Sequence, residues 1–341
     1  MSERLRVVIA TPLDPENAEL LRTLEPRLDV VSEPRLLPPV GFSIERLDRT
    51  PAEQAEYEEL VDSADALFGV PDQSGRELAR TVAANPRLRW VNTIPAGGGQ
   101  QVRAARLSRD ALDRIVFTTS AGIHAEPLAE FAVFGVLAGA KRLPYLLAAQ
   151  REHEWAPRIA LPLASELTVA VVGLGHIGRA TARKLATLGY RVIGVHRHPV
   201  DGFEVRAVAE LAAVAAEVDA IVLALPGTDQ TAKMLSRTVL DALRPGATVV
   251  NVGRGSTVDE PALIEALDRG QVGFAALDVM AVEPLPVDSP LWELPNVLIS
   301  PHTAAISEQE PRLITELFAA NARRLLDGEP LANVVDTVEF Y

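Results

Sequence analysis

The first third of the chain alternates short apolar runs with amphipathic segments. Helical periodicity follows Asp14-Pro15 and covers 53–62, whereas the proline-rich stretch 33–51 has no clear period and predicts a loop. The apolar runs that predict buried strands are 5–10, 29–31, 66–69 and 88–91. Strands that alternate with helices are typical of a parallel α/β sheet.

The second half of the chain repeats this alternation more regularly. A long apolar pattern over 127–147 predicts one buried packing helix. Six strand candidates follow, as many as a complete dinucleotide-binding sheet has; they are 168–172, 191–195, 220–225, 248–252, 273–277 and 297–300. An amphipathic helix over 307–326, ended by Gly328, is expected to pack back against the N-terminal part, and the tail 334–341 predicts a strand or a surface segment.

Composition narrows the function classes. A length of 341 residues indicates two domains or three small ones. The absence of cysteine excludes disulfides, cysteine-ligated metal centres and a thiol nucleophile, and no metal is expected. The net charge of −13 disfavours a nucleic-acid partner. No apolar run has the length of a membrane span or the character of a signal peptide, so we expect a cytoplasmic protein without a membrane partner.

A glycine-rich loop directly follows the strand at 168–172. Gly173 allows the tight turn, Gly175 lets the backbone approach a pyrophosphate, and Gly178 permits close packing of helix on strand. The backbone of His176 and Ile177 then lies at a helix N-terminus, whose free N–H groups attract phosphate. A plain structural turn is the alternative, but strand, loop and helix together predict a dinucleotide site.

The end of the next strand distinguishes the two nicotinamide cofactors. An NAD site typically has an acidic residue there, which binds the ribose hydroxyls. This sequence has His196, Arg197 and His198 instead. Because a guanidinium can bind a 2′-phosphate bidentately, NADP is predicted as the preferred cofactor over NAD. The alternative is that these residues form a solvated strand end.

Three further strand ends carry residues suited to catalysis. Arg254 lies in the run NVGRG, Glu283 in EPLP and His302 in SPHTA. The carboxyl ends of parallel strands line the ligand crevice of a doubly wound sheet, so these side chains are expected to converge. Each alone could be a structural ion pair or a satisfied histidine. The three together, downstream of a nucleotide loop, indicate one active site.

These motifs resemble the D-isomer-specific 2-hydroxyacid dehydrogenase family, from about residue 90 to 326 and most clearly over 165–305. The resemblance implies an α/β fold of two Rossmann-like domains with doubly wound parallel sheets. The dinucleotide-binding domain, 120–303, would be inserted into a split substrate domain formed by 1–119 and 304–341. It also implies a homodimer built on the nucleotide domains, with the helix at 127–147 as a candidate face.

The resemblance also implies roles for the three strand-end residues. Arg254 would bind the substrate carboxylate and polarise the 2-oxo group. His302 would be the general acid that protonates the developing alkoxide. Glu283 would pair with His302, orient its ring and favour the protonated form.

Further contacts are implied on both sides of the site. Asp278 would contact the nicotinamide carboxamide, and Pro226, Val252 and Gly253 would lie along the cofactor. The substrate carboxylate would be received by the backbone of a loop whose members are Ala96, Gly97 and Gly98.

Three residues leave substrate recognition open. Gln100 and Gln101 stand where family members usually carry an aspartate, and His124 is either a substrate-site residue or a packed hinge histidine. The expected activity is hydride transfer between NAD(P)H and a small 2-oxo acid, most simply of the glyoxylate or hydroxypyruvate type. A phosphoglycerate dehydrogenase-like enzyme and a non-catalytic, NAD(H)-sensing, corepressor-like protein are the alternatives.

Overall fold

The computed structural model describes residues 4–41, 47–338 and 340. The chain divides into two compact units, Met1–His124 with Ile306–Tyr341, and Ala125–Ala305. We call these unit 1 and unit 2. Each contains one parallel sheet flanked by helices, which confirms the predicted α/β class of two Rossmann-like sheets.

Unit 1 contains a five-stranded sheet in the order β2-β1-β3-β4-β5, with every neighbouring pair parallel. The strands are β1 (Leu5–Ile9), β2 (Leu28–Val31), β3 (Ala66–Phe68), β4 (Trp90–Asn92) and β5 (Val116–Thr118). Its helices before the unit boundary are α1 (Pro15–Leu24), α2 (Pro51–Asp62), α3 (Gly75–Ala84), α4 (Gly99–Ala105) and α5 (Arg109–Arg114). The predicted strands and helices of this region are therefore present.

Local sequence signals start two of these helices. The Asp14 carboxylate accepts the Asn17 N–H at 2.8 Å, and a proline occupies the first turn of α1. Thr50 and Glu53 form a reciprocal capping box at α2. The predicted loop 33–51 contains a 3₁₀ turn at Pro34–Leu36; its residues 42–46 lie outside the described part of the chain.

Unit 2 contains a seven-stranded parallel sheet in the order β12-β11-β10-β9-β6-β7-β8. Its helices are α6 (Ala125–Ala140), α7 (Leu143–Arg151), α8 (His176–Thr187), α9 (Leu211–Ala215), α10 (Arg237–Ala242) and α11 (Glu260–Asp268). Its strands are β6 (Thr168–Val172), β7 (Arg191–Val195), β8 (Val205–Arg206), β9 (Ala220–Leu223), β10 (Ala247–Asn251), β11 (Val272–Leu277) and β12 (Val297–Ile299). The expected count of six strands was wrong because β8 has only two residues, too few to give a sequence pattern.

The strand order of unit 2 defines where a ligand can lie. From β6 the chain moves outward through β7 and β8, and then crosses to β9 on the other side of β6. The crevice at such a reversal, beyond the carboxyl ends of the strands, is where doubly wound sheets bind dinucleotides.

The single helix predicted over 127–147 was wrong. The structure has two helices there, α6 and α7, bent by 68° relative to each other. Arg142 adopts a left-handed conformation (φ 51°) at the break, and Pro144 stands in the first turn of α7, where its missing N–H is tolerated. Helix α6 is buried along its packing face as predicted, whereas no residue of α7 is buried.

The described helices differ from what a single membrane span requires. None is individually long and apolar enough, and only the bent pair α6 and α7 meets the length and composition test jointly.

The last helix, α12 (Glu310–Asp327), belongs to unit 1 as expected. Phe318 is fully buried and stacks on Trp90 of β4 with ring centroids 4.1 Å apart. Burial of such a ring contributes about 1.5–3 kcal/mol. Gly328 ends the helix with φ 71°, and Val334 then bridges to Thr118 at the edge of the sheet.

Candidate active site

The glycine loop of unit 2 has the geometry that its sequence predicted. Gly173 has φ 94°, and its N–H donates to the Val195 carbonyl at 2.9 Å. A Cβ at Gly178 would lie 1.8 Å from the Gly173 carbonyl oxygen, so only glycine lets α8 approach β6 this closely. A Cβ at Gly175 would meet no atom of the described part of the chain within 4 Å. The loop is therefore tight where helix and strand pack and open where a phosphate would lie.

Helix α8 supplies the electrostatic part of this site. It begins at His176, after Gly175, which provides no side-chain cap for the first N–H groups. Free N–H groups at the start of a twelve-residue helix form an anion site. The backbone of His176, Ile177 and Gly178 fits a pyrophosphate.

Cationic side chains surround the end of β7. His196 is half-buried, and its Nδ1 accepts the Leu174 N–H of the glycine loop at 3.4 Å. Burial, followed by the nearby charges of Arg197, His198 and Arg179, lowers the pKa of His196 below its usual 6.5. Arg197 and His198 are exposed. A dianionic phosphate would relieve the repulsion among these groups.

The loop that carries Arg254 is held by close backbone contacts. Gly253 and Gly255 flank the arginine; a Cβ at Gly253 would lie 2.6 Å from the Leu225 carbonyl oxygen, and one at Gly255 would lie 1.9 Å from the Met280 backbone. The Arg254 side chain is exposed, and its Nη1 donates to the Gly253 carbonyl at 2.7 Å. The main chain is thus buried on both sides while the guanidinium remains accessible.

His302 and Glu283 form a direct pair. The His302 Nδ1 and the Glu283 Oε2 are 2.7 Å apart, and 43% and 38% of the two side chains are exposed. The other Glu283 oxygen accepts the Met280 N–H at 2.9 Å, which fixes the carboxylate. Because a carboxylate only accepts, the imidazole carries a hydrogen on Nδ1, and Nε2 is left for a ligand.

Asp278 fixes the backbone next to His302. The Asp278 side chain is buried, and its Oδ1 accepts the Ser300 hydroxyl at 2.6 Å and the N–H groups of Thr303 and Ala304 at 3.0 Å each. Its carbonyl accepts the N–H of His302, which has φ 55°. Its Oδ2 is buried without a hydrogen-bond partner in the part of the chain that the structure describes.

A free, buried carboxylate oxygen at this edge suits the amide N–H of a nicotinamide carboxamide. Together with the open glycine loop, this unsatisfied acceptor indicates that the residues present fit a nicotinamide dinucleotide.

The strand register brings these groups to one edge of the sheet. Asn251 of β10 pairs with Leu277 of β11, and Leu277 pairs with Ile299 of β12. Arg254, Asp278 and His302 therefore follow three adjacent strands that end at the same level. Val252 and Gly253 are buried in the same edge, and Pro226 is exposed in the loop after β9, its carbonyl accepting the Thr231 hydroxyl at 2.6 Å.

The loop expected to bind substrate lies in unit 1, after β4. Ala96 and Gly97 are exposed, whereas Gly98 is buried, and a Cβ there would lie 1.7 Å from the Thr93 hydroxyl oxygen. Ile94 has φ 65°, unusual for a β-branched residue, and its N–H donates to the Asn92 side chain at 2.9 Å. Such backbone strain is typical of functional loops.

His124 has a partner within unit 1. Its Nε2 is 2.8 Å from the Glu310 Oε1 at the start of α12, and only 14% of its side chain is exposed. The alternative of a packed histidine at the unit boundary therefore describes His124 better. Among the residues that the structure describes, no three histidine or carboxylate side chains are grouped so that they could hold a metal.

Sequence reasoning missed the polar side chains that support the site. Asn251 and Thr257 are buried and hydrogen-bonded to the loop that carries Arg254, and the buried Ser300, two residues before His302, donates its hydroxyl to the Asp278 carboxylate. The available signal was a small polar residue at the end of an apolar strand, as in ATVVN over 247–251. A polar side chain that is buried without a hydrogen-bond partner lowers the stability of the fold, so a polar residue in such a place indicates a bonded partner.

These features are those of a nicotinamide-dependent oxidoreductase. Residues 133–304 match the family model "D-isomer specific 2-hydroxyacid dehydrogenase, NAD binding domain". The chain belongs to the D-isomer-specific 2-hydroxyacid dehydrogenase family and is an NAD(P)-dependent enzyme acting on CH–OH donors.

Relatives with known names agree with this assignment. The chain is 34% identical over 220 residues to glyoxylate/hydroxypyruvate reductase A of Serratia proteamaculans, covering 64% of this chain and 69% of that one. A 2-hydroxyacid dehydrogenase of Xanthobacter autotrophicus, solved with NADPH and MES, is 31% identical with a TM-score of 0.77, covering 99% and 100%. An NADPH-dependent glyoxylate/hydroxypyruvate reductase of Sinorhizobium meliloti, solved with NADP and sulfate, is 26% identical with a TM-score of 0.78, covering 99% and 100%.

Proposed function

We propose that this protein is an NADPH-preferring reductase of small 2-oxo acids, of the glyoxylate or hydroxypyruvate type, with Arg254, Glu283 and His302 as its catalytic residues. The observation that carries the proposal is the 2.7 Å pair of His302 and Glu283 beside the Arg254 strand end. The named activity of the Serratia and Sinorhizobium enzymes supports the substrate class.

In this proposal the side chains of unit 2 bind and polarise the substrate. The exposed Arg254 guanidinium forms a charge-assisted bond with the substrate carboxylate and draws electron density from the adjacent 2-oxo group. His302 donates the proton from Nε2 to the oxygen that becomes an alkoxide, and Glu283 keeps the ring oriented through Nδ1. The bound nicotinamide would supply the hydride in reduction or accept it in oxidation.

The loop Ala96–Gly98 of unit 1 is proposed to receive the substrate carboxylate through its backbone. Two observations support this role. Ala96 and Gly97 are exposed at the end of a parallel strand, and the Asn92 side chain holds the strained Ile94 just before them. Backbone donors do not depend on side-chain identity, so Gln100 and Gln101 would alter substrate size selection rather than carboxylate binding.

The preference for NADP over NAD is proposed from the cations at the end of β7. Arg197 would bind the 2′-phosphate, and the lowered pKa of His196 reflects partly the positive charges that such a phosphate would neutralise. The Xanthobacter and Sinorhizobium structures contain NADPH and NADP, respectively. The reverse preference would require a carboxylate where this chain has Arg197.

We also propose a cytoplasmic homodimer that binds no membrane or nucleic acid. Apolar side chains are exposed on unit 2 from α7 onward, including Leu146, Leu163 and the almost fully exposed Trp155. Exposed apolar groups clustered along one segment are typical of an interface. A shift from dimer to monomer in analytical ultracentrifugation after Trp155→Arg would support this interface, and an unchanged dimer would exclude it.

A turnover screen tests the proposed substrate. The purified protein should oxidise NADPH with glyoxylate and hydroxypyruvate, and more slowly with longer 2-oxo acids of up to six carbons. 3-Phosphoglycerate with NAD⁺ and with NADP⁺ tests the phosphoglycerate dehydrogenase alternative. Lack of turnover with every 2-oxo acid, at both cofactors, would contradict the proposed substrate class and favour the cofactor-sensing alternative.

A further inference from the structure

The carbonyl of Arg254 is unusually well bonded for an active-site loop. It accepts the Asn251 Nδ2–H at 3.1 Å, the Thr257 hydroxyl at 2.6 Å and the Thr257 N–H at 3.1 Å. The Asn251 Oδ1 also accepts the Gly253 N–H at 3.0 Å. Three donors on one carbonyl oxygen are more than its two lone pairs ordinarily accept.

Both donor side chains are fully buried and face only this loop. Asn251 and Thr257 have no exposed surface, and each side-chain bond that the structure gives them ends on Gly253 or Arg254. Backbone contacts hold the same loop from outside, at Gly253 against Leu225 and at Gly255 against Met280. The Arg254 side chain extends from a main chain that is fixed at every neighbouring residue.

We infer that Asn251 and Thr257 are positioning residues that hold the Arg254 main chain so that its guanidinium meets the substrate carboxylate in one orientation. This inference rests on the proposed role of Arg254. A flexible loop would let the long arginine side chain reach the same carboxylate in many poses, few of which polarise the adjacent oxo group. Displacement of a binding group by about 1 Å can cost on the order of 100-fold in rate.

Thr257 gives the sharper test because valine has nearly the same shape without the hydroxyl. In Thr257→Val, we expect KM for the 2-oxo acid to rise about tenfold while kcat falls less, because ground-state carboxylate binding is lost first. Thr257→Ser keeps the hydroxyl and should restore KM. In an Arg254→Lys background the effect of Thr257→Val should shrink, since residues that act together are not additive.

A matched control separates positioning from general stability. Thr315 is also fully buried, and its hydroxyl donates to the Pro311 carbonyl at 2.8 Å in α12 of unit 1. Thr315→Val removes the same kind of bond far along the chain from the Arg254 loop. It should leave KM unchanged, whereas an equal rise in KM would overturn the inference.

Hydrogen–deuterium exchange of residues 251–258 tests, without any substrate, whether Thr257 holds the Arg254 main chain. Thr257→Val should increase exchange in this segment, and Thr315→Val should not. Unchanged exchange in Thr257→Val overturns the inference whether or not the protein reduces 2-oxo acids. If exchange increases but the wild-type protein turns over no 2-oxo acid, the proposed function is wrong, whereas the inference that Thr257 holds the Arg254 main chain is supported.

Discussion

The carboxyl edges of the two parallel sheets present functional groups in different ways. In unit 2 the loops after the strands expose the charged side chains of Arg254, Glu283 and His302, and the main chain on both sides of Arg254 is buried. In unit 1 the loop after β4 does the reverse: Asn92 and Thr93 are buried and hydrogen-bonded, and the backbone around Ala96 is exposed. In the proposed function, one edge acts through side chains and the other through main-chain N–H groups. The two should respond to different substitutions.

The largest effect is expected from removing the proposed proton donor of unit 2. His302→Gln should lower kcat about 10²- to 10⁴-fold, because general acid catalysis typically contributes that much. Dissociation of NADPH, followed by its fluorescence, should change little since the glycine loop is untouched. Steady-state kinetics with glyoxylate measures the loss.

Glu283→Gln provides the matched comparison at the same pair. It keeps the shape and one acceptor oxygen but removes the charge that faces His302 Nδ1 at 2.7 Å. We expect a smaller loss of kcat than in His302→Gln. Full activity in either variant would show that the pair is structural and that the side-chain chemistry of unit 2 lies elsewhere.

The unit 1 edge should be sensitive to a single methyl group on the backbone. In Gly98→Ala the new Cβ would lie 1.7 Å from the Thr93 hydroxyl oxygen, so the loop must shift. We expect KM for the 2-oxo acid to rise about 10- to 100-fold through misplaced N–H groups, with kcat less affected.

Gly41→Ala is the control for this substitution, because its Cβ would meet no atom of the described residues within 4 Å. It should leave KM and kcat unchanged. If Gly98→Ala behaves like Gly41→Ala while remaining folded, the unit 1 loop does not bind the carboxylate, and the contrast between the two edges would be lost.

Most of the fold was predictable because local patterns and the sheet agree. Strands such as β6 and β10 are continuous apolar runs, as expected for parallel strands buried on both faces. The prediction failed at two places where the hydrophobic pattern does not determine the secondary structure. Arg142 and Pro144 interrupt a helix that hydrophobicity alone would continue, and the two-residue β8 depends on its neighbour β7.

In the candidate site, only the reactive side chains that lie in recognisable motifs were predictable from the sequence. Arg254, Glu283 and His302 follow strands, and topology then brings them to one edge. The supporting bonds were not predictable. Ser300 bonds to Asp278, which only the fold brings near it, and the bond from Asn251 to the Arg254 carbonyl depends on the turn that the loop makes. The unit 1 loop gave the weakest signal, since main-chain donors leave almost no trace in side-chain identity.

A smaller effect is expected at the cofactor end of unit 2. Arg197→Ala should raise KM for NADPH about tenfold and leave KM for NADH unchanged, because a hydrogen bond to a charged group contributes about 1.5–3 kcal/mol. Arg191→Ala is the control: this residue begins strand β7, which Arg197 follows, and pairs with Glu204 at 3.0 Å. Equal losses for both cofactors would contradict recognition of a 2′-phosphate by Arg197.

The smallest effect concerns stability rather than catalysis and is confined to unit 1. The Glu25 side chain is only 4% exposed and pairs with Arg27 at 2.8 Å and with Arg323 of α12 at 3.4 Å. The Arg27 hydrogen bond, opposed by burial, lowers the pKa of Glu25 from 4.5 to about 2. A lowered carboxyl pKa stabilises the fold above the unfolded value, and this stabilisation is lost as pH falls from about 4.5 towards 2. Glu25→Gln should therefore reduce the free energy of unfolding at pH 7 by about 1–3 kcal/mol.

The pH dependence separates this pair from an exposed one in unit 2. Urea unfolding at pH 7 and at pH 3 should give curves for wild type and Glu25→Gln that differ less at the lower pH. At pH 3 the unfolded chain is already protonated at Glu25, whereas the folded protein, with its pKa of about 2, still holds the carboxylate, so part of the stabilisation is lost. Glu265→Gln removes a carboxylate that pairs with Arg237, but both side chains are about half exposed. Exposed pairs contribute little, so this variant should unfold like wild type at both pH values. If the two variants lose the same free energy of unfolding, the burial of Glu25 against α12 does not make its ion pairs stronger than an exposed pair.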